Sequence, residues 1–297
     1  FAGVFGWLYE ISRPYIHFAI ISVIVLMIFT EKKLRKVLSA ILVIGLSGLL
    51  GIFTLNSSIL PQQRVLFPIL SGLFGLSTLF VSISQKSKIP RQVEDDTLNI
   101  SSKNIFKSIV LGTFAGVIVG LLPAIGVSQA ATMVQYLGRA GEARNFLVTL
   151  SGINVANEIF SLVSLYLVGN PRSGASVAIQ KILVELTFFD VVYIIGVICL
   201  TSGLAAILTL FLGRKIPRFL EKLNYKTISL LVIVLITSMV FLLSGIKGLL
   251  ILFTSLAIGL LCVYLGIRRT HCMGVLLVPS VLFFSGLNPL VISILGI

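Results

Sequence analysis

Three groups of small and polar residues interrupt an otherwise apolar chain, and each has a composition that could do chemistry in a low-dielectric setting. The first is Pro123-Ala124-Ile125-Gly126-Val127-Ser128-Gln129, which follows glycines at 112, 116 and 120. Proline and glycine so close together break a helix. Residues from Gly126 onward would begin a new half-helix, whose free N–H groups and positive dipole end favour an anion. Ser128 and Gln129 add neutral groups that can hold a carboxylate, or they only cap the half-helix. The second group is Asn154, Asn157 and Glu158, spaced i, i+3, i+4 and therefore on one helix face. Glu158 falls near the middle of the apolar run 146–168. A carboxylate at that depth costs ~2.5–3.5 kcal/mol on insertion, so it needs a cavity, a partner or a coupling ion, or it keeps a proton and carries it. The bland alternative is a residue hydrogen-bonded between helices as glue. The third group is Asn170-Pro171-Arg172-Ser173-Gly174-Ala175-Ser176. Arg172 is a natural carboxylate partner and the small residues permit close backbone approach, but an ordinary turn has the same composition. Lys181 and Glu185, four apart, suit an interfacial pair.

These groups need apolar helices to hold them. The chain is 57% hydrophobic and 11% charged, against about 25% charged in soluble domains, with a mean hydropathy of +1.10. Its apolar runs are continuous rather than alternating, and several approach the roughly 20 residues that cross a bilayer as a helix. The expected fold is an all-α polytopic membrane protein of about eight transmembrane helices plus a re-entrant helical hairpin and a partial helix. Runs cover roughly 15–30, 37–55, 65–83, 146–168, 188–212, 227–244, 248–267 and 273–295, with a broken stretch at 107–137 and a short mixed segment at 175–187. This gives a three-helix segment over 1–83, a polar cytoplasmic loop over 84–106, a transport-type core over 107–212, and a second three-helix segment over 213–297.

The net charge of +13 does not indicate nucleic acid, because the cations sit in short loops between apolar runs, the positive-inside pattern. With 31–36 cytoplasmic, the basic loops 84–106 and 213–226 fall on the same side only if 107–137 enters and leaves on one side. About 16 residues before Pro123 rise only ~24 Å, short of the ~30 Å hydrocarbon core, which favours a re-entrant hairpin over a proline-kinked span. Three cysteines make no disulfide framework. Cys199 and Cys262 read as plain helix residues and Cys272 as an unreactive neighbour of Arg268, Arg269 and His271. His17 and His271 read as interface residues. No metal-ligand cluster, phosphate loop or nucleophile–base pair is visible, so no enzyme, cofactor or metal is expected. The chain opens at Phe1 without a signal pattern and reads as lacking an N-terminal part.

At these residues a family resemblance emerges. Gly112, Gly116 and Gly120 followed by Leu121-Leu122-Pro123-Ala124-Ile125-Gly126 resemble the Gly-rich, Pro-Gly-x-Gly signature of the large permease subunit of tripartite tricarboxylate transporters, the TctA family, also catalogued as DUF112. Pro61-Gln62-Gln63 with Leu66-Phe67-Pro68 and Gly72-Leu73-Phe74-Gly75, Asn154 to Ser161, and Arg172 to Ile179 are similar to its archaeal-type members, and Met273 to Pro279 extends the likeness. The resemblance implies a carrier for carboxylates driven by an ion gradient, with two similar halves of which one signature is present here. One departure is Ala124 where the family has glycine after the proline; alanine keeps the position small but disfavours positive φ.

The combined expectation is a secondary carrier in the cell membrane, basic loops cytoplasmic, moving a small organic anion with Na⁺ or H⁺. Pro123, Ala124, Ile125, Gly126, Ser128, Gln129, Asn154, Asn157, Arg172, Ser173, Gly174 and Ser176 would bind substrate, and Glu158 with Asn154 and Asn157 would hold the coupling ion. Partners would be the lipid bilayer, a carboxylate, and a small membrane subunit or a second copy of the chain. A channel and a non-transporting membrane scaffold are the rival readings.

Overall fold

The computed structural model describes residues 15–57, 59–85, 101–121, 126–127, 130–131, 134, 143–169, 171, 173–183, 186–220 and 224–296. Among them every regular element is helical. In chain order these are α1 (Ile16–Phe29), α2 (Leu34–Asn56), α3 (Gln62–Leu70), a π-helical turn (Ser71–Leu76), α4 (Ser77–Ser84), α5 (Ser102–Leu121), α6 (Ala143–Val168), α7 (Gly174–Ile182), α8 (Phe188–Leu220), α9 (Tyr225–Tyr264), a 3₁₀ turn (Arg269–Met273), α10 (Gly274–Phe284) and α11 (Asn288–Leu295).

Among the described residues six helices are long and apolar enough to cross a bilayer, or seven if the bent pair Arg269–Phe284 plus Asn288–Leu295 counts as one span. Hydroxyls in these helices mostly bond back to the carbonyl four residues earlier, as in Thr54 to Leu50 at 2.6 Å, Ser77 to Leu73 at 2.6 Å and Thr201 to Val197 at 2.7 Å. That local solution lets serine and threonine sit in an apolar helix at little cost.

The elements differ from the expected runs at four places. The first run yields α1, only 14 residues long among the described residues. α5 begins at Ser102, earlier than expected, so its 20 residues rise ~30 Å and the length argument for a helix too short to cross does not hold. The last run is not continuous: α10 and α11 meet at a 115° bend, where Gly286 has φ 74°. The run 65–83 contains Pro68, which has no N–H to give Arg64; Ser244 Oγ donates to that carbonyl instead, at 3.1 Å. Six residues of π-helix follow three residues on.

The longest helix, α9, is in fact two. Gly245 has φ 64° and ψ −160°, a conformation essentially reserved for glycine. A Cβ placed on Gly248 would lie 3.4 Å from Val240 Cγ1, whereas residues eight apart in a straight helix are separated by ~12 Å along the axis. Val240 and Leu252 share one buried cluster with Leu76 and Leu256, so the halves fold back on one another. Each half, 225–244 and 246–264, rises ~30 Å, in agreement with the two separate runs expected there.

Contacts divide the chain into two compact units, one holding 1–16 with 94–214 and the other 17–93 with 215–297. In the second, α2 lies against α10 and the 3₁₀ turn, and α9 lies against α3, the π turn and α4. Their shared core includes Val43, Val65, Ile69, Leu73, Cys272 and Val275. In the first, the dominant contact is α5 on α6. Helix α8 has Val191 as its one buried residue among the described side chains, and its length is lined with exposed Leu, Ile and Phe. Such a surface cannot be wetted and fits a lipid-facing helix.

Candidate functional site

The glycines at 112, 116 and 120 set the geometry of the first unit. A Cβ on Gly112 would collide with the Thr149 carbonyl; on Gly116 it would sit 2.6 Å from both Ala156 Cβ and the Ile153 carbonyl; on Gly120 it would sit 2.6 Å from Phe160 Cβ. Glycine at each position lets the two backbones touch, as small residues do in membrane helix pairs. The order of these contacts matters: 112 meets 149, 116 meets 153–157, and 120 meets 160–161. α5 and α6 therefore run parallel. Two parallel neighbours need a connection that brings the chain back to the side on which α5 began.

The expected break over 122–126 falls in that connection, and of it only Gly126 is among the described residues. α5 ends at Leu121, Gly126 is outside any helix, and Val127, Ala130, Ala131 and Val134 are helical. The Ala130 N–H donates to the Gly126 carbonyl at 3.2 Å, which makes Gly126 the first acceptor of a new helical turn. Ala130 and Ala131 are buried with Ala115 and Val119 of α5 and Ile153 of α6, and Val127, Val134, Phe146 and Leu150 close around them. The returning turn thus packs against both parallel helices. Pro123, Ala124, Ile125, Ser128 and Gln129 lie outside the described residues.

On α6, Ile153 and Ala156 face α5, while Asn154 and Glu158 are exposed and Asn157 is half-buried at the margin of the contact. The three polar side chains stand on one side of α6, as the i, i+3, i+4 spacing requires, with no partner among the described residues. α6 ends at Gly169, whose φ of 69° and N–H to the Leu165 carbonyl at 2.9 Å form a left-handed cap. Ser173 caps α7: its Oγ accepts the Ser176 N–H at 3.2 Å and lies 3.1 Å from Ser176 Oγ. Ser176 is buried and Gly174 exposed. Gln180 Nε2 donates to the Gly169 carbonyl at 3.1 Å, tying α7 to the end of α6. The Ser173 and Ser176 hydroxyls are thus already engaged in shaping the helix start. Asn170, Arg172 and Glu185 lie outside the described residues, and Lys181 is exposed.

A polar cluster that sequence reading passed over sits in the second unit. Glu31, read as one member of a charged loop, is buried. Its Oε1 accepts the Arg268 backbone N–H at 3.2 Å and lies 3.4 Å from Nε2 of fully buried His271. Ser47 Oγ lies 3.4 Å from the His271 carbonyl, Cys262 Sγ lies 3.3 Å from the Arg268 carbonyl, and the Arg269 guanidinium donates to Thr78 Oγ1. His271 is thus a core residue rather than an interface one. These contacts fasten the turn between α9 and α10 onto the turn between α1 and α2. Among the described residues no group of three or more His, Cys, Asp or Glu is placed to hold a metal.

Residues 1–274 match the Tripartite tricarboxylate transporter TctA family. The uncharacterized protein MJ1079 of Methanocaldococcus jannaschii is 30% identical over 279 residues, covering 92% of this chain and 67% of its own length. No solved structure matches.

Proposed function

The chain belongs to the tripartite tricarboxylate transporter TctA family, and on that premise we propose that this transporter permease component carries a small organic anion, a carboxylate, driven by Na⁺ or H⁺. The observation that carries the reading is the new helical turn that begins at Gly126, inside the connection that returns between two parallel, span-length helices. Backbone freed from a helix at that depth is tolerated only against protein or a watery cavity, and interrupted helices mark binding sites in secondary transporters. The half-helix starting at Gly126 supplies N–H groups and a positive end for a carboxylate. Asn154 and Glu158, exposed on α6, and Asn157, at the margin of the α5 contact, supply oxygens for the coupling ion. Pro123 to Gln129 and Arg172 to Ser176 complete the substrate set, and 107–212 is the transport core.

The second unit supports a sidedness. Lys32, Lys33, Arg35, Lys36, Arg268 and Arg269 share one end through the Glu31 contacts, and the fold-back at Gly245 brings Lys226 to that end. Arg64 and Lys247 lie at the other, next to Ser244. Seven cations against two favour the first end as cytoplasmic, with the protein in the cell membrane and a small membrane subunit as partner. Uptake of radiolabelled di- and tricarboxylates into proteoliposomes, under an imposed Na⁺ or pH gradient, tests the function. Wild type is expected to accumulate at least one carboxylate, with Glu158→Gln reducing gradient-driven uptake to background and Gln129→Ala raising the concentration for half-maximal uptake. Wild-type behaviour of both variants, or no uptake of any carboxylate, overturns the reading.

A further inference from the structure

We propose that the end of the second unit bearing Lys32, Lys33, Arg35 and Lys36 is a binding surface for anionic membrane phospholipids, the headgroup phosphate on these cations and the acyl chains along Phe29, Leu34 and Leu38. Glu31, the acidic residue beside this run, is turned inward, where its Oε1 is engaged by the Arg268 N–H and His271. It is also the sole acidic residue among the described residues of this unit. Four cations within five residues are therefore left without a carboxylate beside them among the described residues. Lys32, Lys33 and Arg35 are exposed and Lys36 half-buried. Arg269, by contrast, is committed to Thr78.

Directly against these cations the surface is apolar and exposed. Phe29 at the end of α1 is 75% exposed, and Leu34 in the first turn of α2 is 76% exposed. Leu38 continues the Leu34 face one turn on and is also exposed. Tyr264, at the corresponding end of α9, is 77% exposed and suits the headgroup level, where tyrosine concentrates. Cations at the mouth of an exposed apolar strip match a ligand with a phosphate on a hydrocarbon tail. Basic clusters beside membrane helices attract anionic lipid, over a range set by ionic screening. A soluble phosphate would use the cations but not the strip. Nothing here depends on which solute the carrier moves.

The test uses the complete protein, exchanged into micelles holding equal amounts of phosphatidylglycerol and phosphatidylcholine, with retained lipids counted by native mass spectrometry. Wild type is expected to keep phosphatidylglycerol in preference to phosphatidylcholine. Substituting Lys32, Lys33, Arg35 and Lys36 together by Gln should cut that preference by about tenfold or more, while Arg64→Gln with Lys247→Gln at the opposite end leaves it unchanged. Millimolar inorganic phosphate should not displace the lipid. The paired variants Lys32→Gln/Lys33→Gln and Arg35→Gln/Lys36→Gln should each remove part of the preference, and they carry the test if the fourfold variant fails to fold. Unchanged preference in the variants, equal loss from the opposite-end variant, or displacement by phosphate alone overturns the proposal.

Discussion

Replacing Gly116 by alanine adds one methyl group at the centre of the close α5–α6 contact. That methyl would lie 2.6 Å from both the Ile153 carbonyl and Ala156 Cβ. Ordinary van der Waals contact begins near 3.4 Å, so the helices must part by roughly 0.8 Å, the difference, or α5 must rotate. The carbonyl belongs to a helix backbone and cannot turn aside as a flexible side chain would. Gly112 and Gly120 bracket the site and meet α6 as closely, so local tilting at 116 also loosens their contacts. Overpacking of this kind costs ~1–3 kcal/mol, whereas alanine is favoured over glycine in an unobstructed helix by up to ~1 kcal/mol. Gly203→Ala on α8, where a Cβ meets nothing within 4 Å, isolates the propensity effect. Heating purified protein in detergent and scoring the monodisperse fraction by size-exclusion chromatography should show Gly116→Ala lost several degrees below wild type and Gly203→Ala at or slightly above it. Equal stability of Gly116→Ala and wild type would refute the close parallel contact and the same-side return of the chain derived from it.

Gly245→Ala should destabilise by ~1–3 kcal/mol, because the residue sits in a backbone region that a Cβ disfavours; chemical denaturation in mixed micelles measures it, with exposed, right-handed Gly45→Ala as the comparison. Glu31→Ala removes the acceptor used by the Arg268 N–H and by His271 Nε2, a loss of ~1–3 kcal/mol for buried polar groups. Its readout is faster maleimide labelling of Cys262 and Cys272, both fully buried under that turn, with unchanged labelling rates as the contrary outcome.

Much of the helical layout was legible because hydrocarbon leaves the backbone few options. Uninterrupted apolar runs gave α2, α6 and the two halves of α9, and Gly126 was legible as the start of a new helical turn. The short mixed segment at 175–187, read as a partial helix, corresponds to α7, while the cap by Ser173 was not read from the sequence. What stayed hidden depends on long-range neighbours. Glu31 and His271 are 240 residues apart, and no local pattern distinguishes a loop glutamate that faces water from one folded inward. The π turn after Pro68 reflects a carbonyl whose partner, Ser244, comes from a distant turn. The parallel course of α5 and α6 was implicit in the glycine spacing, but the spacing shows only that some helix comes close, not which one or in which direction. The late bend at Gly286 was obscured because Ser285 and Gly286 interrupt an otherwise apolar run too briefly to lower its hydropathy.

The backbone contact between α5 and α6 also constrains how this half of the molecule can deform. Sliding one helix past the other would lift Ile153 and Ala156 off the glycine steps, where the two backbones touch, so longitudinal shear is opposed unless the pair first separates. During any working stroke the two must travel as a single beam. Flexure then falls at its ends, one of which is the left-handed joint at Gly169 where α6 hands over to α7.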